Sequence, residues 1–280
     1  YGMPTLMADS LMRITRRHLI DAHRAGFAVG GSSLVVVGDI VPSEVEGALR
    51  DIFAKRLDVN GELTGTVAPA QTEAPACHVF HVPDAVQSVI VQGNPGPKRA
   101  DDAWSQAVVA NQILGGSASS RLFTVLRERK SLTYGIYSSL DGRLRAGDWS
   151  LSTSVRTPMT AAALDAIATE LTLMQSAVAN DDELSAARRF LIGQFVMSIA
   201  SGGAVASRIA AVRLYGLPES TWSRYVANIA TTDGEAARAA AQRWFGNAEQ
   251  HLVIVGDLDQ IRPALDARCT RIELRDADGR

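Results

Sequence analysis

The sequence predicts an α+β fold, in which a two-layer module of a mainly antiparallel sheet packed with helices follows the carboxy-terminal tail of a similar module. Three observations predict it. Strand patterns come first after residue 75, helical patterns fill most of the region from Pro158 to Phe245, and one strand pattern returns late. Short motifs near the start of the chain recur near its end. A stretch without hydrophobic periodicity separates the two parts.

Composition bounds the size of the core and the class of partner. With 280 residues and 46% hydrophobic content, the chain can bury a substantial core in one or two domains. A formal charge of -2 and a pI near 6.2 provide no basic excess for binding phosphates, so no nucleic-acid partner is expected. The first ten residues show no targeting pattern, and the sequence assigns no compartment.

Two motifs occur twice. Residues 1–4 read Tyr-Gly-Met-Pro, and residues 215–218 read Tyr-Gly-Leu-Pro. Residues 34–40, LVVVGDI, match residues 252–258, LVIVGDL, at an offset of 218 (252 - 34 = 218). Each copy predicts a helix after the proline turn, then a buried strand that ends in Gly-Asp, then another helix. The second copy closes a module that begins near Ala76.

The repeat divides the chain into three predicted parts. Residues 1–58 are interpreted as the tail of a first module of which most is missing, residues 59–75 as a linker, and residues 76–280 as a complete second module. The linker assignment rests on two prolines, two glycines and the lack of periodicity in that segment.

The second module opens with strand patterns. Residues 77–82 (CHVFHV) and 86–93 (VQSVIVQG) predict two strands joined by a turn at Pro83 and Asp84. A helix is expected from Asp101 to Ile113, because acidic residues favour the positive end of a helix dipole. A glycine turn at Gly115 then leads into the next element.

After that turn the pattern predicts a short helix, then a hairpin, then helices. Leu122, Phe123 and Leu126 mark the apolar side of the short helix, and a strand begins near Thr133. Residues 142–147 predict a hairpin turn into residues 148–156, whose alternation is typical of a half-exposed strand. Pro158 opens the first of the Ala-rich helices, where its missing N–H is harmless.

Residues 190–207 are uncharged and about long enough to raise the question of a membrane span. Polar residues and the pair Gly202 and Gly203 interrupt the segment, and Arg189 and Arg208 flank it. The pattern favours two buried helices that meet at the glycines, and no membrane span is expected.

Two cysteines, Cys77 and Cys269, are too few for a disulfide scaffold and have no neighbours that fit a zinc knuckle. Either one disulfide joins them or both are free buried thiols. The sequence alone leaves these alternatives open.

Arg127 and Tyr134 form the candidate site. Arg127 lies at the edge of the apolar side of the short helix, and Tyr134 opens the following strand seven positions later. A tight turn between the two elements aims both side chains into one space. A guanidinium presents a planar fork of donors and a neutral phenol one O–H donor, so the pair is suited to peptide carbonyls and to a developing oxyanion. The alternative is a solvated arginine and a tyrosine half-buried in packing.

Residues 120–138 carry a pattern, SRLFxxLRExxxLxYxxxS, that resembles the signature of the second, non-zinc module of the pitrilysin, insulinase and mitochondrial processing peptidase family. The resemblance extends more loosely over nearly all of the chain, through Gln87, the turn at residues 113–116 and the two Val-Gly-Asp motifs. It implies that Arg127 holds the substrate backbone and that Tyr134 donates to the tetrahedral oxyanion.

The same resemblance implies a zinc site outside this chain. Two His and one Glu of a missing first module hold zinc, and a Glu acts there as general base. The expected partners are a peptide or protein substrate and the zinc-bearing module or a partner subunit. The chain by itself is expected to be inactive and to bind no cofactor.

Two other functions stay open. One is a catalytically inactive structural or partner subunit of the same fold, since some relatives of this family are structural or work in pairs of which one member carries zinc. The other is a small-molecule-binding α+β domain without peptide chemistry.

No metal ligands are assigned to the chain. His18 and His23 are five residues apart, which turns them roughly 140° from each other on a helix, so they are interpreted as surface imidazoles. Cys77 and His81 point to the opposite side of a strand from His78. Residues 104–113 correspond in the family to the zinc-binding helix, and they contain neither His nor Glu.

Overall fold

The computed structural model describes residues 8–26, 32–53, 74–246 and 250–275. The chain divides into two compact units. The first comprises residues 1–70 and 198–214, and the second comprises residues 71–197 and 215–280. Most of the predicted linker, residues 59–75, lies outside the described residues, and the three-part division of the chain stays a prediction.

A six-stranded sheet forms the centre of the second unit, in the order β3-β4-β2-β5-β1-β6. The strands are β1 (Cys77–His81), β2 (Gln87–Gly96), β3 (Thr133–Asp141), β4 (Gly147–Arg156), β5 (His251–Gly256) and β6 (Ile272–Arg275). The pairs β3-β4, β4-β2 and β2-β5 are antiparallel, and β1 runs parallel to both of its neighbours. The expected α+β fold with a mainly antiparallel sheet is confirmed.

Helices account for most of the remaining described residues. They are α1 (Ala8–Met12), α2 (Arg16–Gly26), α3 (Pro42–Phe53), α4 (Trp104–Leu114), α5 (Arg121–Phe123), α6 (Thr160–Ser176), α7 (Asp181–Ser198), α8 (Gly202–Tyr215), α9 (Thr221–Thr231), α10 (Gly234–Trp244) and α11 (Leu258–Asp266). A π-helical turn, Thr124–Arg129, continues α5, and a 3-10 turn, Thr157–Met159, carries Pro158 just before α6. Helix α4 begins at Trp104, and the Asp101 carboxylate accepts a hydrogen bond from the backbone N–H of Ala103 (2.9 Å).

The turn predicted at Pro83 and Asp84 joins β1 to β2, with Asp84 at a φ of 58°. The two strands are nevertheless not neighbours in the sheet, because β5 lies between them. Ile254 of β5 stands opposite Val79 of β1 and Ile90 of β2, and all three side chains are fully buried. Strand β5, which follows β4 by nearly 100 residues in the chain, therefore completes the centre of the core.

One face of the sheet is covered by helices. Helices α4, α6, α10 and α11 contact the strands, and their apolar side chains form one core with Ile136 of β3 and with Trp149 and Leu151 of β4. The alternating side chains on the other face remain partly exposed, among them Val89, Val91 and Tyr137. That open face and its outer strand β3 adjoin the candidate site.

Cys77 and Cys269 form a disulfide with a Cα–Cα distance of 5.9 Å. The bond fixes the start of β1 to the segment between α11 and β6. It resolves the alternatives that the sequence left open.

The first Val-Gly-Asp copy is not a strand, which corrects the expectation of a buried strand there. Residues 34–37 have no regular structure, Gly38 and Asp39 form a bend, and Leu34, Val36 and Ile40 are exposed. An apolar segment becomes a strand only where a neighbouring strand accepts its backbone hydrogen bonds. The helices predicted around this copy do form, as α1 and α2 before it and α3 after it.

The segment at residues 190–207 does break into two helices, with α7 ending at Ser198 and α8 beginning at Gly202. The expectation that both are buried is wrong for α8, whereas α7 is buried in part, at Leu184, Ala187 and Leu191. Helix α8 contains no buried residue, and Phe190, Val196 and Met197 of α7 are exposed. Among the described residues no single helix is both long and apolar enough to cross a membrane, whereas α7 and α8 taken together reach that length and composition.

Candidate functional site

A π-helical turn positions Arg127. Leu122, Phe123 and Leu126 are buried as the pattern predicted, which fixes α5 and the turn to the core. The turn ends when the backbone N–H of Lys130 donates to the Val125 carbonyl (3.0 Å). The wider π turn rotates the following residues away from ordinary helical positions, a distortion often found at functional sites. Arg127 is consequently exposed.

A β-bulge positions Tyr134. The pairing of β3 with β4 shifts between Thr133 and Ile136, so Tyr134 and Gly135 occupy the irregular part of the strand. The Tyr134 side chain is 91% exposed. The bulge thus turns an aromatic side chain out of the sheet and into the solvent, and the alternative of a half-buried packing tyrosine is excluded.

Threonine hydroxyls hold the bulge in place. The Thr133 hydroxyl lies 2.8 Å from the Ser154 carbonyl and accepts from the backbone N–H of Gly135 (3.2 Å). The buried Thr153 hydroxyl lies 2.8 Å from the Thr133 hydroxyl and 2.9 Å from the Gly135 carbonyl. These contacts satisfy backbone groups that the irregular ladder leaves unpaired.

The structure brings Arg127 and Tyr134 together. The guanidinium carbon of Arg127 lies 5.3 Å from the centre of the Tyr134 ring and 4.8 Å from the centre of the Phe123 ring. Phe123 in turn contacts Tyr137, with 5.5 Å between ring centres. Cation–π attraction of this kind is worth about 0.5–1 kcal/mol at exposed sites and limits the positions of the guanidinium.

An ion pair anchors the element that carries Arg127. The Arg121 guanidinium donates to both carboxylate oxygens of Glu183 in α7, at 2.7 and 2.8 Å. This contact lowers the pKa of Glu183 and raises that of Arg121, so the two directions agree on a favourable pair. Since both side chains are partly buried, the fork-to-carboxylate geometry fixes α5 more firmly than a surface pair does.

A second network joins α4 to β3. The Asn111 amide donates to the Ser138 carbonyl (3.1 Å), and its oxygen accepts from the Ser138 hydroxyl (2.7 Å) and from the Trp149 indole (3.1 Å). The end of α4 can approach β3 this closely only because residue 115 is a glycine. A Cβ there would lie 2.4 Å from the Ser138 hydroxyl. The glycine turn predicted from the sequence is therefore a point of close contact.

Sequence reasoning missed the side chains that hold the pair. The sequence pattern predicts only a core position for Phe123 and only a strand start for Thr133, and it gives no role to Tyr137 or Thr153. The sequence contains a signal for one of them, since Thr133 immediately precedes Tyr134. Thr153 carries no such signal, because only the pairing of β3 with β4 brings it to the bulge.

Comparison with known families identifies the family to which the chain belongs. The family model described as "Peptidase M16 inactive domain" matches residues 13–191, which is more than half of the chain and includes Arg127 and Tyr134. The chain belongs to the peptidase M16 inactive-domain family. The resemblance to pitrilysin-like zinc peptidases noted from the sequence is thereby confirmed.

One relative of this M16 inactive domain is named as a zinc protease. An uncharacterized zinc protease of Streptomyces coelicolor is 28% identical over 256 residues, which cover 90% of this chain and 54% of that protein. The chain therefore spans about half the length of this curated relative.

Solved structures share the fold. A peptidase M16 inactive domain from Pseudomonas fluorescens superposes with a TM-score of 0.80 at 25% identity, covering 89% of this chain and 59% of that one. A protease from Helicobacter pylori gives a TM-score of 0.76 at 16% identity over 89% of this chain and 61% of that one. At 16% identity, the similarity to the Helicobacter pylori protease shows a shared fold only.

The described residues of the M16 inactive domain do not fit a zinc ion. His81, Asp257 and Asp259 place potential ligand atoms within 4.8 Å of one another. However, Asp257 accepts from the Asp259 backbone N–H (3.1 Å) and the Gln260 amide (2.6 Å), and His81 accepts from the Leu258 N–H (3.0 Å). Asp257 and the Nδ1 atom of His81 thus cap the start of α11. One imidazole and two carboxylates are also not among the Cys- and His-rich ligand sets that are typical of structural zinc sites.

The other residues considered as metal ligands in the sequence lie at the surface or make other contacts. His18 hydrogen-bonds with Thr15 at the start of α2, and both His18 and His23 are exposed. Cys77 is in the disulfide, and the His78 ring stacks on His251 with 5.8 Å between ring centres.

Proposed function

We propose that this M16 inactive domain is the non-zinc half of a zinc metalloendopeptidase. In this role it binds the substrate backbone and stabilises the oxyanion that forms when the peptide bond is hydrolysed. The observation that supports the proposal is the exposed pair of Arg127 and Tyr134, two hydrogen-bond donors of different chemistry held side by side by a π turn and a β-bulge.

Arg127 is assigned to the substrate backbone. Its guanidinium offers several N–H donors in one plane, which match the carbonyl oxygens of an extended peptide. Stacking on Phe123 and Tyr134 leaves the edge of the guanidinium, where the N–H groups are, available to a substrate.

Tyr134 is assigned to the oxyanion. A neutral phenol donates one short hydrogen bond and carries no charge that would bind the ground state strongly. The neighbouring guanidinium favours negative charge at the oxygen to which the phenol donates, and the bulge fixes the phenol before the reaction begins. Fixed donors of this kind contribute most when they are aimed at charge that develops in the transition state.

The zinc ion belongs in this proposal to a module outside the chain, where it would supply a metal-bound water as the nucleophile. The division of the protein is proposed as the sequence predicted it. Residues 1–58 complete the zinc-bearing module, residues 59–75 link the halves, and residues 76–280 form the half that carries Arg127 and Tyr134.

The test uses the full protein, with its zinc-bearing module, and the variant Tyr134→Phe. Loss of an oxyanion donor typically costs about 10² to 10³ in turnover, so kcat should fall by about that factor while KM changes little. The matched control is Tyr137→Phe, because Tyr137 lies three residues along the same strand and is half exposed. Turnover by Tyr134→Phe equal to that of the control would exclude the assigned role.

Arg127→Lys tests the other member of the pair. It keeps the charge and removes the planar fork, so KM for peptide substrates should rise more than kcat falls. A KM equal to that of the unmodified protein would contradict backbone binding by Arg127.

A catalytically inactive structural or partner subunit is the second candidate. The family description "inactive domain" favours it, because it assigns the chemistry elsewhere. If Tyr134→Phe and Arg127→Lys leave peptide hydrolysis intact and the chain is still required for assembly with its partner, this candidate replaces the first.

A further inference from the structure

A cavity of about 380 Å³ opens on the second unit, away from Arg127 and Tyr134. It lies between the π turn, helix α6 and the start of α7. Its polar lining includes Arg121, Arg129, Glu170 and Glu183. Ligand pockets in proteins usually measure about 300–1,000 Å³, so the space is sufficient for a small molecule.

Glu170 is the unusual member of the lining. It is 8% exposed, and among the described residues it makes no hydrogen bond or ion pair. Burial raises the pKa of its carboxyl group, and the positive charge of Arg121 opposes that rise. Because Glu170 lines the cavity and makes no direct contact with a donor, its carboxyl group is available to a ligand that supplies N–H donors.

The neighbouring charges do not satisfy Glu170. Arg121 is already engaged by both oxygens of Glu183, which also accepts from the backbone N–H of Asn180 at 3.2 Å. Arg129 is exposed on the rim of the same cavity and has no ion pair among the described residues. The cavity therefore presents one carboxylate and one guanidinium, Glu170 and Arg129, which attract each other through space but form no direct hydrogen bond or ion pair within the described chain.

These charges discriminate between ligand classes. A divalent cation would meet repulsion from Arg121, Arg129 and the nearby Lys130, and it would need several oxygen ligands in place of one free carboxylate. A primary ammonium group carries a single charge and three N–H donors, which suit a carboxylate in a confined space. A carboxylate on the same ligand would complement Arg129.

We propose that this cavity binds a small zwitterion with an apolar side chain, of the class of a free amino acid or dipeptide. Its ammonium group donates to Glu170 and its carboxylate accepts from Arg129. The apolar part packs on Val125, Leu173 and Ala177, which line the same space. The site is separate from the proposed peptidase function and does not depend on it.

The experiment measures binding of three related molecules to the chain by backbone amide chemical shifts. L-leucine has both charges, 3-methylbutylamine has only the ammonium group, and 4-methylpentanoate has only the carboxylate. We expect leucine to bind most tightly, with shifts concentrated around Glu170 and Arg129. The amine should bind more weakly than leucine, and the carboxylate more weakly than the amine.

Two variants assign the contacts. Glu170→Gln removes the charge with little change in shape, so binding of the amine should disappear and the Kd for leucine should rise by about tenfold or more. Arg129→Met should weaken binding of leucine and should not weaken binding of the amine, because it also removes a positive charge that repels the ammonium group. The control is Glu128→Gln, since Glu128 is an exposed acid on the same π turn that does not line the cavity.

The proposal is overturned if neither leucine nor the amine shifts the amides around Glu170 at about 10 mM, a concentration well above a typical weak Kd. It is also overturned if Glu170→Gln binds leucine as tightly as the unmodified chain does. Should Glu170→Gln fail to fold, the order of the three ligands and the Arg129→Met variant still decide the outcome.

Discussion

Residues 34–40 and residues 252–258 have nearly the same sequence and different structures. The second segment forms strand β5 and the cap of α11, with Ile254 fully buried. In the first segment the described backbone is irregular, and Val36, which corresponds to Ile254, is 44% exposed. Both patterns indicate a strand equally well, so the difference arises from what surrounds each segment.

Neighbouring strands account for the difference. β5 pairs with β1 on one side and β2 on the other, so its backbone N–H and C=O groups are satisfied and its side chains meet helices. Backbone pairing of that kind is a condition for burying an apolar strand at all. Hydrophobicity marks a segment as a candidate strand, and the partners decide whether the strand forms.

The aspartates of the two copies differ in the same way. Asp257 accepts from the Asp259 N–H and caps α11, which begins one residue later at Leu258. Asp39 lies in a bend three residues before α3 begins at Pro42. The Asp is therefore a helix cap only in the copy where the strand places it directly against a helix.

The two copies should differ most in the stability that is lost when the central strand residue, Ile254 or its counterpart Val36, is truncated. Ile254→Ala should lower the free energy of unfolding by about 4 kcal/mol, because it removes a fully buried side chain from the core. The matched change Val36→Ala should alter it by less than about 0.5 kcal/mol. Denaturant unfolding followed by circular dichroism measures both. Equal losses would mean that the first copy is also packed in a sheet.

Removal of the disulfide should cause the second-largest loss of stability, and this loss also concerns only the sheet that contains the second copy. Cys77 lies opposite Leu252 of β5, so the bond to Cys269 stabilises the sheet that the second copy completes. Replacing both cysteines by serine should cost about 3 kcal/mol. Fluorescence of the tryptophans, all four of which belong to the second unit, reports its unfolding. A reductant should lower the stability of the unmodified chain and leave the serine variant unchanged.

Removal of the Asp257 cap should change the free energy of unfolding least, and the size of that change should depend on pH. Hydrogen bonds from the Gln260 amide and the Asp259 N–H hold the pKa of Asp257 below its usual value. A carboxyl with a lowered pKa stabilises the fold above the ordinary Asp pKa of about 4, and that contribution is lost as the pH falls through the lowered value.

Asp257→Asn should therefore reduce stability at pH 7 more than at pH 3, and by less than Ile254→Ala does. Asp39→Asn serves as the control, with no change expected at either pH. Unfolding curves at several pH values measure the difference. A loss that is equal at pH 3 and pH 7 would mean that the charge of Asp257 contributes nothing to the cap.

Much of the fold and part of the site could be predicted from local sequence patterns. The strand patterns on either side of Pro83, the hairpin after Asp141 and the apolar side of α5 all appear in the structure, because each is set by periodicity and turn chemistry within a few residues. The pairing of Arg127 with Tyr134 was predicted from their spacing across one short turn. Their roles in binding and catalysis stay predictions.

Other features depended on residues distant in the sequence. Thr153 reaches the bulge at Tyr134 only through the register of β3 and β4. Glu170 lines one cavity with Arg121 and Arg129 only because α6 lies beside the π turn. No local pattern contains such information, since it arises from which elements become neighbours.

By itself the sequence determined where most strands and helices of residues 76–280 lie, that Arg127 and Tyr134 stand on adjoining elements, and a resemblance to a peptidase family. The elements follow from periodicity and turn residues, which act over a few residues, and the resemblance follows from the motif at residues 120–138. Only the tertiary structure decided that the later Val-Gly-Asp copy is a strand and the earlier one is not, that Cys77 is bonded to Cys269, and that Glu170 makes no hydrogen bond within the described residues. Such outcomes require distant segments to meet, because hydrogen bonding, burial and charge pairing depend on contacts in space.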